Sequence, residues 1–403
     1  MPPEVDVDEV IKAYWGGRSR ELGFANEEEL DRWVDGALPE FIDATAETPV
    51  PLVEFVRWLD PAPLIELLRG TYKDFERVRK ELEARIRFFA HFVLSGETHL
   101  TKAYRRLSEA DCQVLGFDTK PTYELVREFV YERIGRERFG TVFKRVIDEV
   151  RIQLHGRGIV LGRRTSQDAT DLPSLKHDPE AKYSGYYKEY GYKADVTVDL
   201  DHMMPLHYAM MDINESEERC LIETMEHLAE RDIRPTEHKV DGKYASFENI
   251  AHAETHGTHL VYAVQQGWVA KPDVDEAAIQ HRYQRYHTSP DFRVGAGLGF
   301  MLRYLQEKGE DKLVGNFYRN KVMALNGEAL EAHKTSYKER GVKMEGFFGT
   351  AKCHTTLGKR PPKRGKEATR FILDMSMLSF ALAALIRVQN GVYTNLASLG
   401  HFG

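Results

Sequence analysis

Around residue 157 the spacing of apolar residues changes period, and this change constrains the fold more than any other feature of the sequence. Before it, apolar residues recur at helical spacing and strand-like alternation is scarce. Asp74 is placed to cap a helix whose stripe is Val78, Leu82, Ile86, Phe89 and Val93, and Ser95-Gly96 ends it. A second helix opens at Pro121, carries Leu125, Phe129, Val130 and Ile134, and stops at Gly135. Between them LTKAYRRLSE reads as a further helix with a basic face. Arg105, Arg106 and Arg127 on short helices suit a helix-turn-helix reader of DNA; a helical bundle with solvated arginines is the other reading.

Beyond residue 157, strand-like segments appear at RGIVLGRRTSQDAT, at YKADVTVDL, where Val196, Val198 and Leu200 alternate, and at PLHYAMMDI. They are expected to form an antiparallel meander. An amphipathic helix follows, capped near Asn214 or Ser216, with Leu221, Met225 and Leu228 on one face. A short strand at EHKVDGKY, a helix from Ser246 to His256 and an apolar strand at THLVYAVQQ complete an α/β domain with a mixed sheet covered by helices. Residues 267–330 have no place in that sheet and read as a largely helical insertion. Helices from Leu330 to Ala351 and from Glu367 to Val388 follow, joined by the basic link GKRPPKRGK. The expected organisation is therefore a helical N-terminal domain over 1–155, and an α/β domain over 156–403 with its insertion ahead of the last helices.

The longest apolar run, Phe371 to Ile386, is interrupted by Asp374 and is shorter than the ~20 residues that cross a bilayer, so it is expected as a core helix with no membrane partner. The 403 residues are 42% hydrophobic and 30% charged, which excludes a disordered chain. The acidic start MPPEVDVDEV lacks a secretory signal, and Cys112, Cys220 and Cys353 form no CxxC pair. A cytoplasmic protein with reduced thiols is expected.

Candidate chemistry rests on carboxylates. Asp168 lies on or just after the first strand, Asp241 at the end of a later strand before Gly242, and Glu345 on a helix able to pack across the sheet. Three carboxylates gathered at one point repel unless a cation intervenes, and all-oxygen ligation suits Mg²⁺ or Mn²⁺. Two such ions suit in-line attack on a phosphodiester. With 63 acidic residues, spacing alone does not choose this triple, and Asp171, Asp178, Asp195 and Asp199 compete for the place of Asp168. Between 334 and 366 ten Lys and Arg face only two Glu, a phosphate-binding density in a chain of net charge −7. Trp268, Tyr283 and Tyr286 offer stacking surfaces, or pack internally. Two motifs mislead: HAETH, from His252 to His256, lacks the Glu directly after its first His that a zinc protease needs, and GAGLGF, from Gly295, lacks the strand-turn-helix unit of a dinucleotide loop.

GYKADVTVDLDHMMPL, VDGKYASFENI and RGVKMEGFFGTAKCHTTL resemble the three blocks of the insertion-sequence DDE transposases. Asp168 has Thr170 two residues on, Asp241 begins a D-x-x-Y with Tyr244, and Glu345 follows Tyr337 and Arg340 and precedes Phe348 and Lys352. This is similar to the family's Tyr-Arg-Glu-Lys signature, with four residues between Arg340 and Glu345 where the family usually has three. The resemblance implies an RNase H-like catalytic core, with Asp168, Asp241 and Glu345 as catalytic residues holding two Mg²⁺ or Mn²⁺ ions. It implies cleavage at transposon ends and transfer of the 3′-hydroxyl into target DNA. A metal-dependent nuclease on the same fold, or an inactive transposase-derived DNA-binding protein, are the alternatives. Double-stranded DNA is the expected partner, contacted by Tyr337, Arg340, Lys352, Lys359, Arg360, Lys363 and Arg364, in a homodimer at the nucleoid.

Overall fold

The computed structural model describes residues 50–185, 188–264 and 268–399. Its N-terminal part consists of helices α1 (Leu52–Arg57), α2 (Ala62–Ile65), α3 (Phe75–Leu94), α4 (Leu100–Arg106), α5 (Glu109–Val114), α6 (Tyr123–Glu128) and α7 (Phe139–His155). Helix α3 lies between Asp74 and Ser95 as expected, but the Asp74 side chain makes no capping hydrogen bond among the described residues. Thr122 caps α6 through its side chain, and the chain then continues as a π-turn over Phe129–Gly135. Gly135 ends it at φ 81°, where a Cβ would meet the Glu137 carboxylate.

The sheet has six strands: β1 (Arg164–Pro173), β2 (Lys182–Ser184), β3 (Glu189–Asp199), β4 (Met204–Asp212), β5 (Glu237–Val240) and β6 (His259–Val261). β3 pairs antiparallel with both β1 and β4, as the expected meander requires, and β2 extends it as a short hairpin. β5 then pairs parallel to β1, and β6 parallel to β5. Three antiparallel strands followed by two parallel ones make the mixed RNase H-like sheet. Helices α8 (Cys220–Glu230) and α9 (Phe247–Thr255) connect the last strands. Along β3 every residue from Gly191 to Asp199 is buried, polar ones included, because helices cover both of its faces.

Helices α10 (Glu276–Gln284), α11 (Leu298–Glu307) and α12 (Asp311–Met323) occupy the region without a place in the sheet. They pack on α9 around their own core of Ile279, Tyr283, Leu302, Leu305, Val314 and Phe317. Tyr283 stacks on Phe292 and Tyr286 bonds Glu310, while Arg319 sits 3.7 Å above the Trp268 ring. All three aromatics are thus engaged in packing.

The two closing helices are α13 (Gly327–His354) and α14 (Lys366–Gln389). α14 is long and apolar enough to cross a membrane by length and composition, but its apolar stretch is wholly buried inside the protein. It packs on α3, α7 and β4, with Phe380 4.8 Å from Phe347, Phe371 5.4 Å from Phe139, and Ser379 donating to Val93 O. One continuous core runs from Phe55 to Leu399, so the change from helices to strands near residue 155 does not divide the hydrophobic interior. At about 2–5 kcal/mol per buried leucine cut to alanine, Leu378 or Leu382 would each be a costly site to truncate.

Candidate active site

The parallel pairing of β1 with β5 sets the site. Gln167 stands opposite Val240 in register, so the next residue on each strand, Asp168 and Asp241, lies side by side where β5 ends. Helix α13 crosses here, contacting β1, β5 and β6. From it Arg340 donates through Nη1 to Asp168 Oδ2 at 2.6 Å, and the Tyr337 hydroxyl lies 3.4 Å from Asp241 Oδ1. Tyr337 and Arg340 also touch each other, the guanidinium 5.2 Å from the ring centre. The backbone N–H groups of Ala169 and Gly242 donate to the carboxylates just before them. Asp168, Asp241, Tyr337 and Arg340 thus form one cluster.

Burial pushes the Asp168 carboxyl above its usual pKa; Arg340 opposes that push, and the charge of Asp241 adds to it. Burial works against the charge of Arg340, but Asp168, Tyr337 and Asp241 outweigh it and hold the guanidinium firmly protonated. Its Nε is buried without an acceptor among the described residues. Burial raises the Tyr337 hydroxyl as well.

Glu345 lies on the same helix but stands outside this cluster, exposed and without a hydrogen bond or ion pair among the described residues. Gly341 and Gly349, one turn before and after it, face open space. The other acidic residue of this segment, Glu339, turns to a different cluster, bonding Arg164, Lys239 and Lys343. The described residues contain no group of three or more His, Cys, Asp or Glu already arranged around one point. Asp168 and Asp241 nonetheless fit a hard divalent cation. They are adjacent carboxylates, the charge of Asp241 raising the cost of ionising Asp168, with oxygen as the only donor type.

The rivals of Asp168 are each occupied elsewhere. Asp171 accepts from Lys352 Nζ at 2.8 Å, Asp178 from Gly365 N, and Asp199 from Gly162 N and His202 N. Asp195 is fully buried beneath the sheet. The basic segment is also partly consumed: Lys359 donates to Gly96 O and Arg364 to Lys176 O, while Lys338, Arg360 and Lys363 make no such contact among the described residues. Arg127 pairs with Glu124 and Glu132, and Arg106 with Glu97, while Arg105 has no ion pair among the described residues. His252 and His256 stack ring on ring at 4.3 Å, and Gly297 leads into α11, so neither misleading motif builds a site.

What sequence reasoning missed is a buried polar chain under the two aspartates. Asp195 accepts from Gln167 Nε2 at 2.6 Å and from the Tyr244 hydroxyl at 2.5 Å. Gln167 Nε2 also reaches Thr224, and Gln167 Oε1 meets His238 Nε2, whose other ring nitrogen meets Thr165. The one available signal was Asp195, an acidic residue inside a strand of otherwise apolar alternation.

The family model for the transposase DDE domain matches residues 145–324, a stretch that contains Asp168 and Asp241 and ends ahead of α13. A solved structure titled as the synaptic complex of piggyBac transposase with hairpin DNA is similar at 12% identity, covering 75% of this chain and 72% of that one. Its TM-score is 0.28. Comparison with the curated proteins gives no match.

Proposed function

We propose that this chain, which carries a transposase DDE domain, cuts DNA at the ends of a mobile element and joins the freed 3′-hydroxyl to target DNA. The observation that supports it best is the pair Asp168 and Asp241, set side by side on parallel strands and held by Arg340 and Tyr337 from the crossing helix. DDE transposases work with divalent metal ions. In our reading Asp168, Asp241 and Glu345 hold two Mg²⁺ or Mn²⁺ ions. When bound, these supply Lewis-acid polarisation of the phosphodiester and a nucleophile at neutral pH.

The protein's own residues orient and exclude. Tyr337 and the Gly242 N–H fix the Asp241 carboxylate, and Arg340 fixes that of Asp168. Exposed Glu345, flanked by Gly341 and Gly349, offers a carboxylate on a surface that a DNA backbone can approach closely. We read Tyr337, Arg340, Glu345 and Lys352 as the Tyr-Arg-Glu-Lys signature, and Lys352, Lys359, Arg360, Lys363 and Arg364 as phosphate contacts. The substrate is double-stranded DNA, engaged by a homodimer at the cytoplasmic nucleoid.

The test is Asp241→Asn. It removes ligand charge without touching the basic surface, so cleavage of end DNA should be lost while binding of that DNA stays near wild type. Cleavage by this variant at the wild-type rate overturns the assignment.

A further inference from the structure

We propose that Asp195 is a positioning residue for the metal site: from beneath the sheet it sets where the Asp168 and Asp241 carboxylates stand relative to each other. The inference rests on the reading of those two aspartates as cation ligands.

The argument begins with strand geometry. Asp195 is opposite Ala169 in the β1–β3 ladder, and directly opposed residues share a face. Gln167, two residues from Ala169, shares that face, while Asp168 lies on the other. Asp195 therefore touches neither catalytic candidate. Its two donors are instead their chain neighbours. Gln167 immediately precedes Asp168, and Tyr244 closes the single 3₁₀ turn, Gly242–Tyr244, that Asp241 caps. One buried carboxylate thus ties the strand carrying one aspartate to the turn carrying the other, through bonds of 2.6 and 2.5 Å.

The rest of the chain stiffens this tie. Gln167 is held by Thr224 of α8 and His238 of β5, and His238 by Thr165 of β1, so three strands and a helix share one network. Asp195, Gln167, His238, Thr165 and Tyr244 are each 0% exposed. A buried carboxylate is expensive to place under a sheet, and an apolar pair there would pack at lower cost. What the polar network adds is direction. Its bonds fix the relative position of β1 and the β5 turn more sharply than apolar contacts of the same volume can. Groups that orient metal ligands through such bonds typically change metal affinity about 10–100-fold when removed.

Tyr244→Phe is the decisive variant, because it deletes only the hydroxyl; Asp195→Asn accompanies it. Both are made in the full chain, checked for folding by circular dichroism, and titrated with Mn²⁺ by electron paramagnetic resonance. Cleavage is then measured against Mn²⁺ concentration. We expect Tyr244→Phe to weaken Mn²⁺ binding about tenfold, to lose cleavage at limiting Mn²⁺ and to regain it at saturation, with end-DNA affinity unchanged. The Tyr244→Phe/Asp195→Asn double variant should be no worse than the weaker single one, since both cut the same tie. Wild-type Mn²⁺ affinity and metal dependence in folded Tyr244→Phe overturn the proposal, whether or not Asp195→Asn folds. Failure of the underlying reading has a separate sign: wild-type protein would bind Mn²⁺ no better than Asp241→Asn does.

Discussion

Nη1 of Arg340 stands 2.6 Å from Oδ2 of Asp168, and the helix that carries Arg340 brings no closer cation to that carboxylate. Asp168 already titrates above its usual range through burial, and Arg340 is the main restraint on that rise. Arg340→Ala should push the carboxyl higher still, because it removes the opposing charge and its hydrogen bond. A pH profile of cleavage would show its acid limb displaced toward higher pH. An undisplaced limb would mean that Arg340 does not act on Asp168 in the working enzyme.

Glu345 and Glu339 lie six residues apart on α13 with opposite assignments. Glu345 makes no hydrogen bond or ion pair among the described residues, so Glu345→Gln should abolish cleavage and leave the melting temperature unchanged. Glu339 bonds the fully buried ammonium of Lys239. Glu339→Gln should retain cleavage and lose about 2 kcal/mol of stability, since among the described residues Lys239 then keeps Glu237 alone, at 3.1 Å. Thermal melts and cleavage assays on the two variants decide it, and the reverse pattern would exchange their roles.

The glycines beside Glu345 stabilise nothing in the free helix. With open space around them, Gly341→Ala and Gly349→Ala should each stabilise α13 by about 1 kcal/mol. If DNA approaches this face, the same changes should weaken end-DNA binding and slow cleavage. A rise in melting temperature with unchanged DNA affinity would remove this face from the DNA path.

Lys352 meets Asp171 at 2.8 Å in the free protein. If it exchanges that partner for a phosphate, Lys352→Ala should reduce the slope of log affinity against log salt by about 0.9. An unchanged slope in a salt titration would leave Lys352 as a structural partner of Asp171.

Burial raises the Asp195 carboxyl to about 7, against an ordinary value of 3.8. A carboxyl whose folded value lies above its unfolded one contributes stability that is fully present below the unfolded value and is lost as pH rises through the folded one. Buried His238 does the opposite. Desolvation lowers it to about 4, so its contribution is present above 6.5 and lost as pH falls toward 4. The two partly cancel in the wild type, and Asp195→Asn separates them. The melting temperature of that variant relative to wild type should climb between pH 4 and pH 8, by at least ~2 °C. A flat difference would mean that Asp195 stays ionised across the range.

The parts of the site legible in the sequence are those fixed by local pattern. Asp241 before Gly242 marks a strand end and Asp168 falls on a strand, but spacing alone does not choose these two among 63 acidic residues. The resemblance to the transposase blocks singles them out, and Tyr337 and Arg340 of α13 with them. The network under the sheet was not legible, because the alternation of Val196 and Val198 shows a period but not how many faces are covered. Asp195, Thr197 and Asp199 alternate with those valines, and nothing in that pattern marks them as buried, which all three are. Charge counting over 334–366 likewise does not show which of these cations have partners within the protein. The partners of Lys352, Lys359 and Arg364 lie at Asp171, Gly96 and Lys176, more than 150 residues away along the chain.

The burial of α14 bears on the order in which the molecule can be built. This helix is synthesised after every element it holds together, yet α3, α7 and β4 all rest on it. Until residues 366–389 have left the ribosome, the apolar faces of those elements have no lasting cover and must be kept apart or held by chaperones. The sheet that carries Asp168 and Asp241 therefore reaches its final packing only after α13, and with it Glu345, has also been made. Assembly in that order delays the final packing of the two aspartates until residue 389 has been made.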